Sequence, residues 1–425
     1  MRYILALTGL AAALLPHVAI AQDQVSITYL ADNQPSTVAS AEALIAAFEA
    51  ANPDVNVELE TRPAGGEGDN LIKTRLATGL LPDVVSYNSG SLLQALNPSQ
   101  NFVDLTDEPW QATVVDSFKS VVTGSDGRLY GGPHGTAMGG GILYNKPIYE
   151  ELGLSVPKTW AEFMANNEKI KESGKAAVIQ TLGTTWTSQL FVLGDFYNVL
   201  AANPTFAEDY TAGKAKYATT PAAVKGFEHQ AEIFNGGFLN EDFQAATMEE
   251  GIVKVATGEG AHYPMLTFAI SNITELAPEH IQDVGFFAIP GDDPEKNGLT
   301  VWMPNGYYIP KTSQNVEAAK RFIAFIQSPE GCKIDMESSG ISGPYLISGC
   351  DLPADIPPSV ADLQSYFQQE GTTAPALEFL SPVKGPALEQ ITVEVASGAR
   401  TPADAAALYD EDVRKQAQQL GLPGW

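Results

Sequence analysis

In this 425-residue chain, the side chains best suited to chemistry are aromatics set among short polar neighbours. Trp186 lies in Gly183-Thr184-Thr185-Trp186-Thr187-Ser188-Gln189, Tyr87 in Ser86-Tyr87-Asn88-Ser89-Gly90, and Trp302 in Trp302-Met303-Pro304-Asn305-Gly306. An aromatic plane stacks on an apolar face, while amides and hydroxyls beside it hydrogen-bond the rim of the same guest. That chemistry is recognition without bond-making, and core packing is the competing role for each ring. Groups that make or break bonds lack their patterns. There is no Gly-x-x-x-x-Gly-Lys-Ser/Thr loop, which excludes a P-loop ATPase, and no Gly-x-Ser-x-Gly elbow. His134, His229, His262 and His280 are scattered without ligand spacing, so neither a metal nor another cofactor is expected. The carboxylate count leaves a secreted glycan hydrolase open, because two acids at a working separation are invisible in one sequence.

The elements that must position these residues alternate. Residues 25–30 read as a strand ending in Ala31-Asp32-Asn33-Gln34-Pro35, and a helix follows over 38–50. A second strand over 55–61 leads to a Gly-rich loop, Gly65-Gly66-Glu67-Gly68, then a helix over 71–78 and the strand-like Val84-Val85-Ser86-Tyr87. The alternation predicts an α/β fold with a largely parallel sheet covered on both faces. Ligands of such sheets bind beyond the carboxyl ends of the strands, where Asn33, Glu67 and Tyr87 each follow a predicted strand. Six glycines between 131 and 141 suit a chain passing between domains. Thr159 and Glu162 form a capping box, strand texture returns at 285–290 and 306–310, and helices are predicted over 316–327 and 402–420.

Residues 1–21 carry one base, Arg2, an apolar run over 4–15, and Ala19-Ile20-Ala21 before Gln22, the pattern of a cleavable signal peptide. A periplasmic protein is expected. The run is shorter than the roughly 20 apolar residues of a membrane helix, and no later stretch approaches that length. No Cys follows the cleavage point to carry a lipid. The remaining length predicts two domains, or three small ones. With 24 Lys and Arg against 51 Asp and Glu, the formal charge of −27 makes nucleic acid and anionic membranes poor partners. In an oxidising compartment Cys332 and Cys350 are expected to form a disulfide worth roughly 3 kcal/mol of chain entropy; two buried free thiols are the alternative.

Four segments resemble family 1 of the extracellular solute-binding proteins, the carbohydrate-binding components of ABC importers, to which maltose-binding protein belongs. The first is Leu143-Tyr144-Asn145-Lys146 with Leu152-Gly153-Leu154 and Pro157-Lys158-Thr159-Trp160, and the second is Gly79-Leu80-Leu81-Pro82-Asp83-Val84-Val85. The third is Ile309-Pro310-Lys311-Thr312-Ser313 with Ala318-Ala319-Lys320-Arg321-Phe322-Ile323 and Ser328-Pro329-Glu330-Gly331, and the fourth is Ala396-Ser397-Gly398. In order, they cover essentially the whole mature chain. The resemblance implies a two-lobed periplasmic binding protein fold of type II, each lobe a mostly parallel sheet flanked by helices, with three hinge crossings. It implies an N-terminal lobe of 22–132 plus 290–340 and a C-terminal lobe of 133–289 plus 341–425. The crossings would fall near Gly132, Ile289 and Gly340, and the disulfide would bracket the third. The implied function is capture of a carbohydrate by a monomer through hinge closure, and delivery to a membrane permease.

By the same resemblance Tyr87, with Asn88 beside it, takes a stacking position, Trp186 a second-lobe platform, and Phe268 the place of a stacking Trp, on a smaller plane. Met265 and Thr267 lead into Phe268 as wall or as core. Trp302 and Asn305 belong to a turn exposed to the cleft. Asn33, Gln34, Glu67, Asp69, His134, Thr136, Met138 and Tyr345 complete the expected ligand-binding set, with solvated loop positions as the alternative. No aromatic stands in Ser381-Pro382-Val383-Lys384-Gly385-Pro386, where maltose-binding protein has one, so a short glycan or sugar derivative suits the chain better than a maltodextrin. A binding protein for a non-sugar solute such as a polyamine is the nearer rival, and the hydrolase the more distant one.

Overall fold

The computed structural model describes residues 24–425, so the expected signal peptide lies outside the described residues. The strands are β1 (Val25–Asp32), β2 (Val55–Arg62), β3 (Val84–Tyr87), β4 (Gly132–Pro133), β5 (Met138–Asn145), β6 (Ala176–Val178), β7 (Gly260–Leu266), β8 (Val284–Ala288), β9 (Leu299–Trp302), β10 (Gly306–Tyr308) and β11 (Thr373–Pro375). One sheet has the order β2-β1-β3-β10-β4, the other β11-β9-β5-β7-β6 with β8 beside β5. Each sheet is the heart of one lobe.

Both sheets are mixed rather than mostly parallel. β1 pairs in parallel with β2 and β3, but β10 runs against β3 and β4. In the second sheet β5 runs against β7, β8 and β9. The physical reason is the connectivity: β5 and β10 each enter their sheet directly from the other lobe, and so arrive in the opposite sense.

Strand pairing also moves two of the expected crossings. Met138 pairs with Trp302 and Gly140 with Thr300, which puts β9 in the second sheet; the chain therefore changes lobes at 303–305, not near Ile289. The short run Leu299-Thr300-Val301-Trp302 was too brief to stand out as a strand, and Gly306 follows it closely. The first crossing occupies 134–137, between β4 and β5. After the helix Pro329–Ser339, Val115 N–H donates to Leu346 O and Ser348 N–H to Thr113 O, so 344–348 still lie on the first lobe. The helix Pro358–Gln368 then packs beneath β8, where Phe286 N–H donates to Asp362, so the third crossing falls between Cys350 and that helix. The Cys332–Cys350 bond therefore lies within one lobe and does not bracket a crossing.

Three helices place the first lobe's share of the site. α1 (Pro35–Ala51) has Pro35 in its first turn, where a missing N–H costs nothing. α2 (Gly65–Thr78) starts at Gly65, so the expected Gly-rich loop is its first turn; it stops at Gly79, with φ 70°. A Cβ on Gly68 would strike the carbonyl of Pro63, so the glycines let α2 sit directly on the end of β2. α3 (Ser91–Ala95) follows β3. Under these helices Tyr29, Phe48 and Phe322 meet edge to face, with centroids 5.7 and 5.1 Å apart, each worth roughly 1.5–3 kcal/mol of burial. The Thr159–Glu162 capping box forms as the sequence predicts.

Candidate functional site

The carboxyl ends of β1, β2 and β3 open on a cavity of about 300 Å³ between the lobes. From the first lobe come Asp32 at the end of β1 and Gln34 after it, Arg62 at the end of β2, Asp69 in α2, and Asn88 and Ser89 after β3. From the second come Trp186, Phe268, Trp302, Glu378 and Glu389. The floor comes from the first two crossings, with His134, Thr136 and Asn305, from Met138 at the start of β5, and from Ser342 and Tyr345 in the segment after the helix Pro329–Ser339.

Of the sixteen residues expected to bind ligand, these walls hold Gln34, Asp69, Asn88, His134, Thr136, Met138, Trp186, Phe268, Trp302, Asn305 and Tyr345. The other five are placed elsewhere. Tyr87 is fully buried behind the wall, with the Arg62 guanidinium 5.8 Å from its ring centre, so it presents no stacking face to the cavity. Its strand is covered on both sides, so even the last aromatic of β3 packs inward. Met265, in β7, is also fully buried in the core. Thr267 is spent on structure: its hydroxyl accepts the Gly139 N–H at 3.0 Å, joining β5 to the end of β7. Asn33 and Glu67 are exposed away from the cavity, because residues beside a strand end or in a helical turn point successively to different sides. Trp302 reaches the cavity but is no exposed turn residue: it ends β9, is 5 % exposed, and lies over Gly140, where a Cβ would collide with its ring.

Trp186 and Phe268 form the aromatic wall, with ring centres 6.0 Å apart at 37°. The Trp186 indole N–H is buried without a partner. Opposite it stands the first turn of α2, and a Cβ on Gly65 would come 2.8 Å from Trp186 Cδ1, so the lobes touch here. Ser36 closes a second contact, its N–H and its hydroxyl both donating to Asn272 Oδ1 of the second lobe at 3.2 and 3.1 Å.

Five carboxylates, Asp32, Asp69, Asp335, Glu378 and Glu389, and three cations, Arg62, Lys73 and Lys384, line the cavity. Arg62, nine-tenths buried, donates to the carbonyls of Pro63 and Ser86 at 2.9 and 3.1 Å, leaving its Nε unpartnered. Burial pushes the Asp69 carboxyl up, opposed by the charges of Lys73, Arg62 and Lys384. Burial and the nearby Asp69 charge likewise raise Glu389, and the Gly66 N–H holds it back. Glu378 accepts the Trp302 indole N–H and pairs with Lys384 at 3.2 Å. On the floor the Tyr345 hydroxyl donates to Asp335 at 2.7 Å, and Thr136 and Ser342 hydroxyls lie 2.9 Å apart. His134 stands 2.9 Å from the Ser86 hydroxyl, and burial lowers its pKa, which favours the neutral ring. The result is a cavity of donors and acceptors with an aromatic wall, suited to a polar guest.

Sequence reasoning missed Asp32, Ser36, Arg62, Glu378 and Glu389. Asp32 and Arg62 end β1 and β2, just past the strands predicted over 25–30 and 55–61, and that nearness is the signal that could have found them. Glu378 and Glu389 sit near the C-terminus in helical turns that carry no signal.

The profile of the bacterial extracellular solute-binding proteins matches residues 31–332. The chain belongs to that family. Its members bind solutes outside the cell and are not enzymes. Among relatives, the multiple sugar-binding protein of Streptococcus mutans is 25 % identical over 317 residues, 72 % of this chain and 71 % of that protein. The melibiose/raffinose/stachyose-binding protein MelE of Bacillus subtilis is 23 % identical over 311 residues, 70 % and 69 % of the two chains. Among solved structures, a chitin oligosaccharide binding protein superposes with a TM-score of 0.80 at 22 % identity, covering 93 % of this chain and 100 % of that one. RafE in complex with raffinose gives 0.76 at 23 % identity, with the same coverage. The fold is thus the two-lobed one of the family's type II members.

Proposed function

We propose that this protein captures a carbohydrate in the cavity between its lobes and delivers it to the membrane permease of an ABC importer, from the periplasm and as a monomer. The observation that carries this reading is the Trp186–Phe268 wall facing the polar groups of α2 and of the segment after β3. A sugar ring has an apolar face for the aromatics and a rim of hydroxyls for Gln34, Asp69, Asn88, His134, Asn305 and Tyr345. Two relatives are named for the sugars they bind, which supports the class of ligand. Because the guest touches both lobes only when they close, its contacts favour the closed form, which the permease would then recognise.

Calorimetric and thermal-shift titration of the mature protein with mono- and oligosaccharides, and with polyamines alongside, tests the reading. A raised melting point and saturable binding with a sugar are expected. Stabilisation by a polyamine and by no sugar overturns it, and so does cleavage of any oligosaccharide.

A further inference from the structure

One group of residues lining the cavity is apolar. Leu92 and Ala95, on α3, face it from the first lobe, and Leu193, Trp302 and Phe379 from the second, with Met303 at the crossing between them. They form one surface. A Cβ on Gly90, just before α3, would come 2.7 Å from Phe379 Cδ1, which seats that ring against the start of α3. Trp302 is tied to Glu378, the neighbour of Phe379, and it covers Gly140, whose carbonyl lies 3.6 Å from a Cβ on Gly194, next to Leu193.

Three of the polar groups around this surface are engaged. The Trp302 indole N–H is held by Glu378, Glu378 by Lys384, and the Ser89 hydroxyl donates to Pro304 O at 2.9 Å. The Ser91 hydroxyl is buried with no partner. Beyond the reach of Ser91, a sugar hydroxyl placed against Leu92, Ala95 and Leu193 would surrender water without replacement, at roughly 1–3 kcal/mol each. Leu92, Ala95, Leu193 and Met303 offer no plane for the face of a sugar ring, and of the two rings beside them Trp302 is 5 % exposed and Phe379 is seated against the start of α3.

Resting on the carbohydrate reading above, we infer that the ligand carries an apolar substituent on its sugar and that this surface receives it. Two groups share that chemistry: an acetamido group, whose methyl would meet Leu92 and Phe379 while its carbonyl accepts from Ser91, and an alkyl or aryl aglycone.

The test is calorimetric titration with methyl glycosides of the common hexoses, their para-nitrophenyl and propyl counterparts, N-acetylhexosamines, and unsubstituted oligosaccharides. A substituted sugar is expected to bind at least about tenfold tighter than its bare parent, the effect of burying roughly 50–60 Å² of apolar surface. Leu92→Asn should shrink that ratio towards one. Loss on Ser91→Ala for N-acetyl sugars alone identifies the acetamido group, and indifference to that change identifies the aglycone. If unsubstituted oligosaccharides bind and no substituent improves on them, the inference falls and the carbohydrate reading stands. If no sugar binds, both fall.

Discussion

Glu389 of the second lobe lands on Gly66 of the first: a Cβ added to Gly66 would collide with Oε1 of that carboxylate. The position before α2 is Ala64, whose side chain caps nothing, and the Glu389 carboxylate stands at the first turn of α2 from across the cleft, where the Gly66 N–H holds its pKa down. A helix capped in this way is complete only when the lobes are closed. Gly66→Ala and Glu389→Ala should each weaken ligand binding about fivefold, within the roughly 0.5–2 kcal/mol of a helix cap. Calorimetry with the cognate sugar checks the affinity, and scattering of the ligand-free variants should show a larger radius than the parent. Unaltered affinity in both variants removes the contact from closure.

Trp186→Ala should cost at least about 1 kcal/mol of binding, near a fivefold loss, because the indole is the larger plane of the aromatic wall. Phe268→Ala should cost less, its ring being the smaller of the two planes. Trp186→Phe should recover part of the loss, since a plane remains but the indole N–H is gone. Equal affinities for Trp186→Ala and the parent protein would take the sugar off this wall.

The alternation over 25–87 was enough to read β1 to β3 and the helices between them, since each is local and strongly patterned, but not the antiparallel β10 that returns from the other lobe. The second lobe was harder, because β5 carries Gly139-Gly140-Gly141, residues that suggest a loop and serve instead to admit Trp302 and Phe286. The same tertiary demand explains Tyr87: its loop-like neighbours Asn88-Ser89-Gly90 promised exposure, but the ring fills the space beneath Arg62. Trp186 was legible because small polar neighbours left it little to pack against within its own segment. Glu389 was not, since its partner is a glycine 323 positions away, a contact that only the closed cleft creates.

The disulfide lies within the first lobe, where Cys332 and Cys350 have Cα atoms 6.1 Å apart, and it ties 341–349 to the helix that carries Asp335. That segment brings Ser342 and Tyr345 to the cavity floor. Replacing both cysteines by serine should lower stability by roughly 3 kcal/mol. Ligand affinity should fall as well, because Tyr345 loses its fixed place beside Asp335. The change in scattering radius on saturation should stay as in the parent protein, since the bond joins no two lobes. A larger swing in the double variant would show instead that the bond restrains the hinge.

Asp195 is buried beside Asn198, whose side-chain N–H donates to it at 2.7 Å, and burial pushes its carboxyl up to about 8. The unfolded chain releases that proton near pH 4, so between roughly pH 4 and 8 the folded state holds one proton more, and stability falls as pH rises by up to about 1.4 kcal/mol per unit. His229 and His262 act the other way: burial lowers both to about 3, so their neutral forms favour folding increasingly as pH rises towards the ordinary histidine value. Below about pH 6.5 two histidines oppose one carboxyl; above it the carboxyl acts without them. Asp195→Asn keeps an acceptor for Asn198 and has no proton to lose. Its melting temperature should therefore decline less than that of the parent between pH 6.5 and 8, and parallel melting curves across that interval would reject a protonated Asp195.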